Sequence, residues 1–146
     1  MKKIALVVGT RLGLVKSFVD VFKWGGWEAS YCTRASLVLE KMGKMERCRP
    51  DIVIFAGSLQ VESKLEELAG REVNLPEAPY VMGEVLLKKY PGWPLFFLGE
   101  PQVQAATRFL EETGKDAIFL RLSGNSYTDV KAVVNLFEKE RNLNQS

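Results

Sequence analysis

The 146-residue sequence contains no histidine and only two cysteines, so the side chains most used for metal binding and nucleophilic catalysis are scarce. Cys32 lies in a predicted buried strand, where a cysteine usually acts as a small hydrophobe. Cys48 lies at a predicted helix end, where nearby arginines could lower its pKa only modestly. Without a histidine partner for either thiol, we expect no redox role, no metal site and no cofactor.

Clusters of charge of one sign are also lacking. The 20 basic and 18 acidic residues give a net charge of +2, and the densest basic stretch, residues 41–49, is interrupted by two methionines and a glutamate. We expect a solvated helix face there and no direct nucleic-acid binding. The acidic residues Glu62, Glu66, Glu67 and Glu72 share a predicted helical region with Lys64, which is also typical of a solvated face rather than a cation site.

No hydrophobic run approaches the length of a membrane span. Lys2 and Lys3 lead into only six apolar or small residues before Thr10, which is too short for a signal peptide. The sequence therefore predicts a cytoplasmic protein without a membrane partner.

Five short apolar runs are present, and they alternate with segments of helical periodicity. The runs predict β-strands at residues 3–9, 27–33, 51–57, 93–98 and 117–122. The periodic segments predict helices at residues 14–22, 34–47, 61–69, 80–90, 101–113 and from 126 through 137. Residues 71–79 hold two prolines and are predicted to form a loop, and Ser126 to Asp129 match a helix capping box.

This alternation predicts a three-layer α/β sandwich with a five-stranded parallel sheet, because right-handed crossovers place helices on both faces. We expect one domain over residues 1–141. Residues 142–146 form a polar C-terminal tail or the start of a linker.

Folds of this class place their sites at the carboxyl ends of the strands. The loop from Gly9 to Gly13 could hold an anion at a helix N-terminus with the help of Arg11. It lacks the spacing of the dinucleotide and P-loop motifs, however, and a strand-to-helix turn favours glycine for backbone reasons alone. An alternative interpretation is that Thr10, Arg11, Ser58 and Glu100 form a small-ligand or nucleotide site, or even an enzyme active site. Ser58 and Ser123 lie near strand ends, but apart from Glu100 and Lys64 no base is evident that would activate a serine hydroxyl.

Taken together, several segments resemble the receiver domain of two-component response regulators, a flavodoxin-like fold. Residues 26–39 and 49–55 resemble the second strand, second helix and third strand of that family. Residues 93–98 resemble its fourth strand, and residues 114–121 resemble the entry to its fifth. The resemblance covers nearly the whole chain and is carried by the hydrophobic pattern.

This resemblance implies that the active site of the family is absent. The acidic pair that holds magnesium falls on Gly9 and Thr10, and the phosphoacceptor aspartate falls on Ala56. The hydroxyl residue after the fourth strand falls on Gly99, and the lysine of the fifth strand falls on Arg121. Aspartyl phosphorylation needs a carboxylate and a metal, so the resemblance implies a pseudo-receiver that is not phosphorylated on aspartate.

The main hypothesis is therefore a non-catalytic regulatory domain in signal transduction or transcriptional control. It would act through contacts with a protein partner or as a homodimer. The resemblance implies dimerisation through the fourth helix, fifth strand and fifth helix, which here carry Arg108, Glu111, Glu112, Arg121, Lys131 and Asn135. About 21 residues, 59–79, form an extra helix and loop between the third and fourth strands relative to the usual receiver pattern. They either cover the strand ends, present a new contact surface, or form a tolerated insertion.

Overall fold

A computed structural model describes residues 2–44, 50–90, 94–99, 103–113 and 118–145. Five strands alternate with helices in this part of the chain. The strands are β1 (Ile4–Val8), β2 (Glu28–Cys32), β3 (Ile52–Ala56), β4 (Leu95–Leu98) and β5 (Ile118–Leu120). The helices are α1 (Leu12–Trp24), α2 (Ala35–Lys44), α3 (Ser63–Ala69), α4 (Ala78–Lys89), α5 (Val103–Thr113) and α6 (Ser126–Gln145), with a 3-10 turn at Leu75–Glu77.

The five strands form one parallel sheet in the order β2-β1-β3-β4-β5. The predicted three-layer α/β fold with a five-stranded parallel sheet is thereby confirmed. Because the chain crosses to one side of β1 first and then to the other, a crevice opens at the carboxyl ends of β1 and β3.

Helices cover both faces of the sheet, which is why the strands are apolar on both sides. One face packs against α1 and α6 through the side chains of Val7 and Ile54, among others. The opposite face packs against α2, α3, α4 and α5, and there Leu6 and Phe55 are buried. Each strand thus contributes alternate residues to two separate hydrophobic layers.

An aromatic stack crosses the face under α4 and α5. Phe97 of β4 lies between Phe55 of β3 and Phe119 of β5, with ring centroids 5.0 and 5.6 Å away. Helix α4 approaches this stack closely at Gly83, where an added Cβ would lie 2.8 Å from the Cζ atom of Phe97. The sheet and α4 therefore fit together only with a very small residue at position 83.

The chain between β3 and β4 is more helical than the sequence predicts. Residues 71–79 are expected to be a loop, yet the 3-10 turn lies within them and α4 begins at Ala78. Pro79 lies in the first turn of α4. Backbone amides there have no acceptor within the helix, so the lack of an amide proton in proline removes no helical hydrogen bond.

The start and end of α6 also differ from the prediction. The N-cap is Asn125 rather than Ser126, because the Asn125 Oδ1 atom accepts a hydrogen bond of 3.0 Å from the Thr128 amide. The Ser126 hydroxyl instead bonds the Ser17 hydroxyl at 2.6 Å. The backbone of residues 142–145, predicted as a polar tail, continues the helix to Gln145.

Candidate functional site

Backbone hydrogen bonds extend the sheet one residue beyond the ends of β3 and β4. The Gly57 amide donates to the Leu98 carbonyl at 2.7 Å, and the Gly99 amide donates to the Leu120 carbonyl at 2.9 Å. These bonds hold the strand-end loops side by side. Gly57 has a φ of +79°, a conformation that side chains with a Cβ rarely adopt.

Gly9, at the end of β1, lies directly against the end of β3. An added Cβ at Gly9 would lie 2.4 Å from the carbonyl oxygen of Ala56 and 3.1 Å from the Cγ1 atom of Val15. Ala56 itself is fully buried. The next residue is tied to the same loop, because the Thr10 amide donates to the Ser58 carbonyl at 3.1 Å. This backbone arrangement leaves no room for a side chain at position 9.

The structure brings Gly9, Thr10, Ala56 and Gly99 to one edge of the sheet, as their strand-end positions predict. Arg121 follows β5 directly and is exposed. Glu100, the remaining polar residue expected at this edge, lies outside the described residues. Asp51 belongs to the opposite edge, where its Oδ2 atom accepts a hydrogen bond of 2.7 Å from the Ile4 amide.

Within the described ranges, no group of three or more cysteine, aspartate or glutamate side chains is placed to hold a metal ion. No helix in that part of the chain has the length and apolar composition needed to cross a membrane.

A cleft of about 300 Å³ opens between the strand ends and the chain that leads into α4. We call it the strand-end cleft. Arg11 and Ser58, predicted from the sequence as ligand-binding residues, line it, whereas Thr10 does not. One wall consists of strand-end residues and the other of residues 75–80. The lining residues are Arg11, Phe55, Gly57, Ser58, Leu75, Pro76, Pro79, Tyr80, Phe97, Leu98, Gly99 and Leu122.

Sequence reasoning missed the second wall, which is formed by Leu75, Pro76, Pro79 and Tyr80. A signal was present, because Leu75 and Pro76 are apolar residues within a stretch predicted to be an exposed loop. Leu75 is 59% exposed despite its apolar side chain.

An ion-pair cluster holds this second wall against α4. Arg71 Nη1 lies 2.9 Å from Glu77 Oε2, and Arg71 Nη2 lies 4.0 Å from Glu84 Oε2. Nearby, the Glu66 carboxylate accepts a hydrogen bond of 2.9 Å from the Val73 amide. Glu66, predicted to belong to a solvated helix face, therefore joins α3 to the following chain.

Glu84 is a buried carboxylate on α4. Burial raises its pKa above the ordinary value, and the nearby Glu112 carboxylate adds to this shift. The cations Arg71, Arg108 and Lys88 act in the opposite direction without cancelling the effect of burial on the pKa. The carboxyl is thus held in an environment that disfavours its charge.

Residues of the predicted dimer face lie in two different surroundings. Arg108 and Glu112 on α5 are close enough to influence Glu84 of α4. Lys131 and Asn135 on α6 instead line a groove of about 320 Å³ beside α1, which we call the α1–α6 groove. Glu111 and Arg121 are exposed.

Cys32 is buried at the end of β2, and burial raises the pKa of its thiol. A thiol with a raised pKa is a poor nucleophile at neutral pH. Cys48 lies outside the described residues.

No family model matches the sequence, and no curated protein matches it. Solved structures do match in fold. NtrX from Brucella abortus is 14% identical, with a TM-score of 0.69 over 99% of this chain and 29% of that chain. The signal receiver domain of a LuxO repressor protein from Vibrio parahaemolyticus is 14% identical, with a TM-score of 0.64 over 99% and 96%. A CheY-like receiver domain protein from Methanospirillum hungatei is 17% identical, with a TM-score of 0.63 over 97% and 98%.

The chain therefore spans less than a third of NtrX but nearly the full length of isolated receiver domains. The strand order, the helix placement and these matches agree, and the chain has the flavodoxin-like fold of response-regulator receiver domains.

Proposed function

We propose that this protein is a pseudo-receiver, a regulatory domain of signal transduction or transcriptional control that acts through protein contacts and is not phosphorylated on aspartate. The observation that carries the proposal is the contact between Gly9 and the Ala56 carbonyl oxygen. Both positions correspond, by resemblance, to carboxylates of the receiver active site.

Phosphoryl transfer to a receiver needs a carboxylate nucleophile and a metal ion that neutralises the phosphoryl oxygens. Ala56 supplies no nucleophile, and the close approach at Gly9 leaves no space for a metal-binding side chain. Asp51, which directly precedes β3, lies five residues before Ala56, or about 16 Å away at the rise of a strand. Asp51 is also engaged in a hydrogen bond to the Ile4 amide.

The test is to incubate the protein with acetyl phosphate and magnesium and to measure its mass. We expect no phosphoryl adduct, and calorimetric titration with magnesium should show no saturable binding. The Asp51→Asn variant serves as a control for adventitious modification at the opposite edge of the sheet. A hydroxylamine-sensitive phosphoryl adduct on the wild-type protein would contradict the proposal.

The protein partner that we propose is a second copy of this chain. We place the contact on the part of the predicted dimer face that lies on α5 and after β5, which carries Arg108, Glu111, Glu112 and Arg121. The other two residues of the predicted face, Lys131 and Asn135, line the α1–α6 groove. Large apolar side chains accompany the charged residues of the proposed contact, because Leu110 is 45% and Phe119 is 39% exposed. Exposed apolar residues together with charges of both signs suit a self-complementary contact.

Sedimentation velocity at micromolar concentrations tests this arrangement. We expect the wild-type protein to form a dimer and the Leu110→Asp variant to be a monomer. The matched control is Trp24→Asp, which changes an exposed residue of the α1–α6 groove and should leave the dimer intact. A monomeric wild-type protein would refute self-association, and loss of the dimer only in Trp24→Asp would place the contact in that groove.

A further inference from the structure

The strand-end cleft has an apolar lining in which Leu75 and Pro76 are exposed, whereas the rings of Phe55, Phe97 and Tyr80 are at most 7% exposed and pack mainly against one another. The rings of Phe55 and Phe97 lie 5.0 Å apart, and the ring of Tyr80 lies 4.8 Å from that of Phe97. Leu75 and Pro76 form an exposed apolar margin opposite these rings. Pockets with this composition bind the flat, apolar part of a small molecule.

Among the described residues that line the cleft, the only charged side chain is that of Arg11. Arg11 is exposed, occupies the N-cap position of α1 without a side-chain capping hydrogen bond, and forms no ion pair with any described residue. Ser58 adds an exposed hydroxyl beside it, and none of the described lining residues is acidic. A guanidinium with no ion pair to any described residue, next to apolar lining residues, favours an anionic group that it can bind through charge-assisted hydrogen bonds.

The size of the cleft limits the ligand further. A volume of about 300 Å³ lies at the lower end of small-molecule pockets. Gly57 and Gly99 contribute no side chains, so a ligand can approach their backbone directly. A single ring system with one anionic substituent fits this space, whereas a dinucleotide does not.

We propose that the strand-end cleft binds a small planar aromatic anion, with its ring against Leu75 and Pro76 and its carboxylate or phosphate against Arg11. The inference goes beyond the regulatory function proposed above and depends on the cleft alone. Its outcome is therefore separate from that of the phosphorylation test.

The experiment is an NMR titration of the full chain with two anionic probes and their neutral counterparts. Indole-3-acetate is compared with indole-3-acetamide, and adenosine monophosphate with adenosine. We expect saturable shifts at the cleft with a dissociation constant of about 1 mM or below for at least one anion, an affinity typical of fragments of this size. Comparison of the two anions distinguishes a carboxylate ligand from a phosphate ligand.

Two variants and a control localise the binding. Arg11→Gln should weaken binding of the anion about tenfold, and Ser58→Trp should abolish it by filling the cleft. Arg34→Gln, which changes an exposed arginine outside the cleft, should bind as the wild type does. Circular dichroism confirms that each variant folds, and Arg11→Gln changes only an exposed side chain.

Three results would overturn the proposal. The first is the absence of saturable binding for both anions at concentrations up to about 10 mM. The second is equal affinity for the anions and their neutral counterparts, and the third is binding that neither Arg11→Gln nor Ser58→Trp alters.

Discussion

The two walls of the strand-end cleft are built in different ways. The sheet wall consists of small residues held by backbone hydrogen bonds, and it depends on the tight contact of Gly9 with the Ala56 carbonyl. The opposite wall, residues 75–80, is held by the ion pairs of Arg71 with Glu77 and Glu84. A backbone contact tolerates almost no change, whereas side-chain ion pairs can be altered one at a time. The sheet wall is therefore the part of the site that tolerates substitution least.

The largest expected effect comes from breaking the sheet wall with Gly9→Ala. The new methyl group would overlap the Ala56 carbonyl oxygen, so we expect a loss of about 3 kcal/mol in the free energy of unfolding, or more. Urea denaturation of the wild-type protein and the variant measures this loss of free energy.

Gly13→Ala is the matched control for this change, because no atom lies within 4 Å of an added Cβ at that helical position. Alanine should stabilise α1 there by about 0.5 to 1 kcal/mol. Equal effects of the two substitutions would show that the Gly9 contact does not constrain the sheet wall.

A smaller effect is expected from Arg71→Ala, which removes the cation of the opposite wall. Glu77 would lose its ion-pair partner and the buried Glu84 would have one cation fewer beside it, so we expect a loss of about 2 kcal/mol in the free energy of unfolding. Lys64→Ala is the control, because its pair with Glu67 spans 3.8 Å between highly exposed side chains and should contribute little. If both substitutions have the same small effect, the Arg71 cluster does not stabilise this wall.

The smallest expected effect is a change with pH in the stability contributed by Glu84. Burial raises the pKa of Glu84 in the folded protein. This group therefore stabilises the folded state at pH values below its unfolded-state pKa, and the stabilisation is lost as the pH rises through its folded-state pKa. Glu84→Gln does not titrate. The stability of this variant relative to the wild type should therefore increase between about pH 4 and pH 7.

Urea denaturation of both proteins at the two pH values provides the measurement. Glu67→Gln, at a highly exposed position, is the control and should show little change with pH. A relative stability of Glu84→Gln that stays constant or falls over the same interval would contradict the expected role of Glu84.

Much of the fold is predictable from local patterns. The runs at residues 51–57 and 93–98 are continuous and apolar, and both contain the observed strands β3 and β4. The helix capping at Asn125 was not predicted, because Ser126 also offers a side-chain oxygen and only its contact with Ser17 of α1 decides between them. Local chemistry therefore predicts that a helix begins here but not which residue caps it.

The candidate site is predictable to a smaller extent. Arg11 and Ser58 could be identified because strand order alone brings the ends of β1 and β3 together. The wall formed by Leu75 and Tyr80 could not, because its position depends on Arg71 and on contacts with α4 that the local sequence does not reveal.

By itself, the sequence determined the alternation of strands and helices and the small residues at the strand ends, since both follow from residue types and their periodicity. Only the tertiary structure decided that Gly9 meets the Ala56 carbonyl and that residues 75–80 close a cleft over the strand ends. It also separated Arg108 and Glu112 from Lys131 and Asn135 by placing the two pairs beside different helices. These outcomes depend on contacts between residues distant in the chain, which form only once the crossovers have arranged the strands.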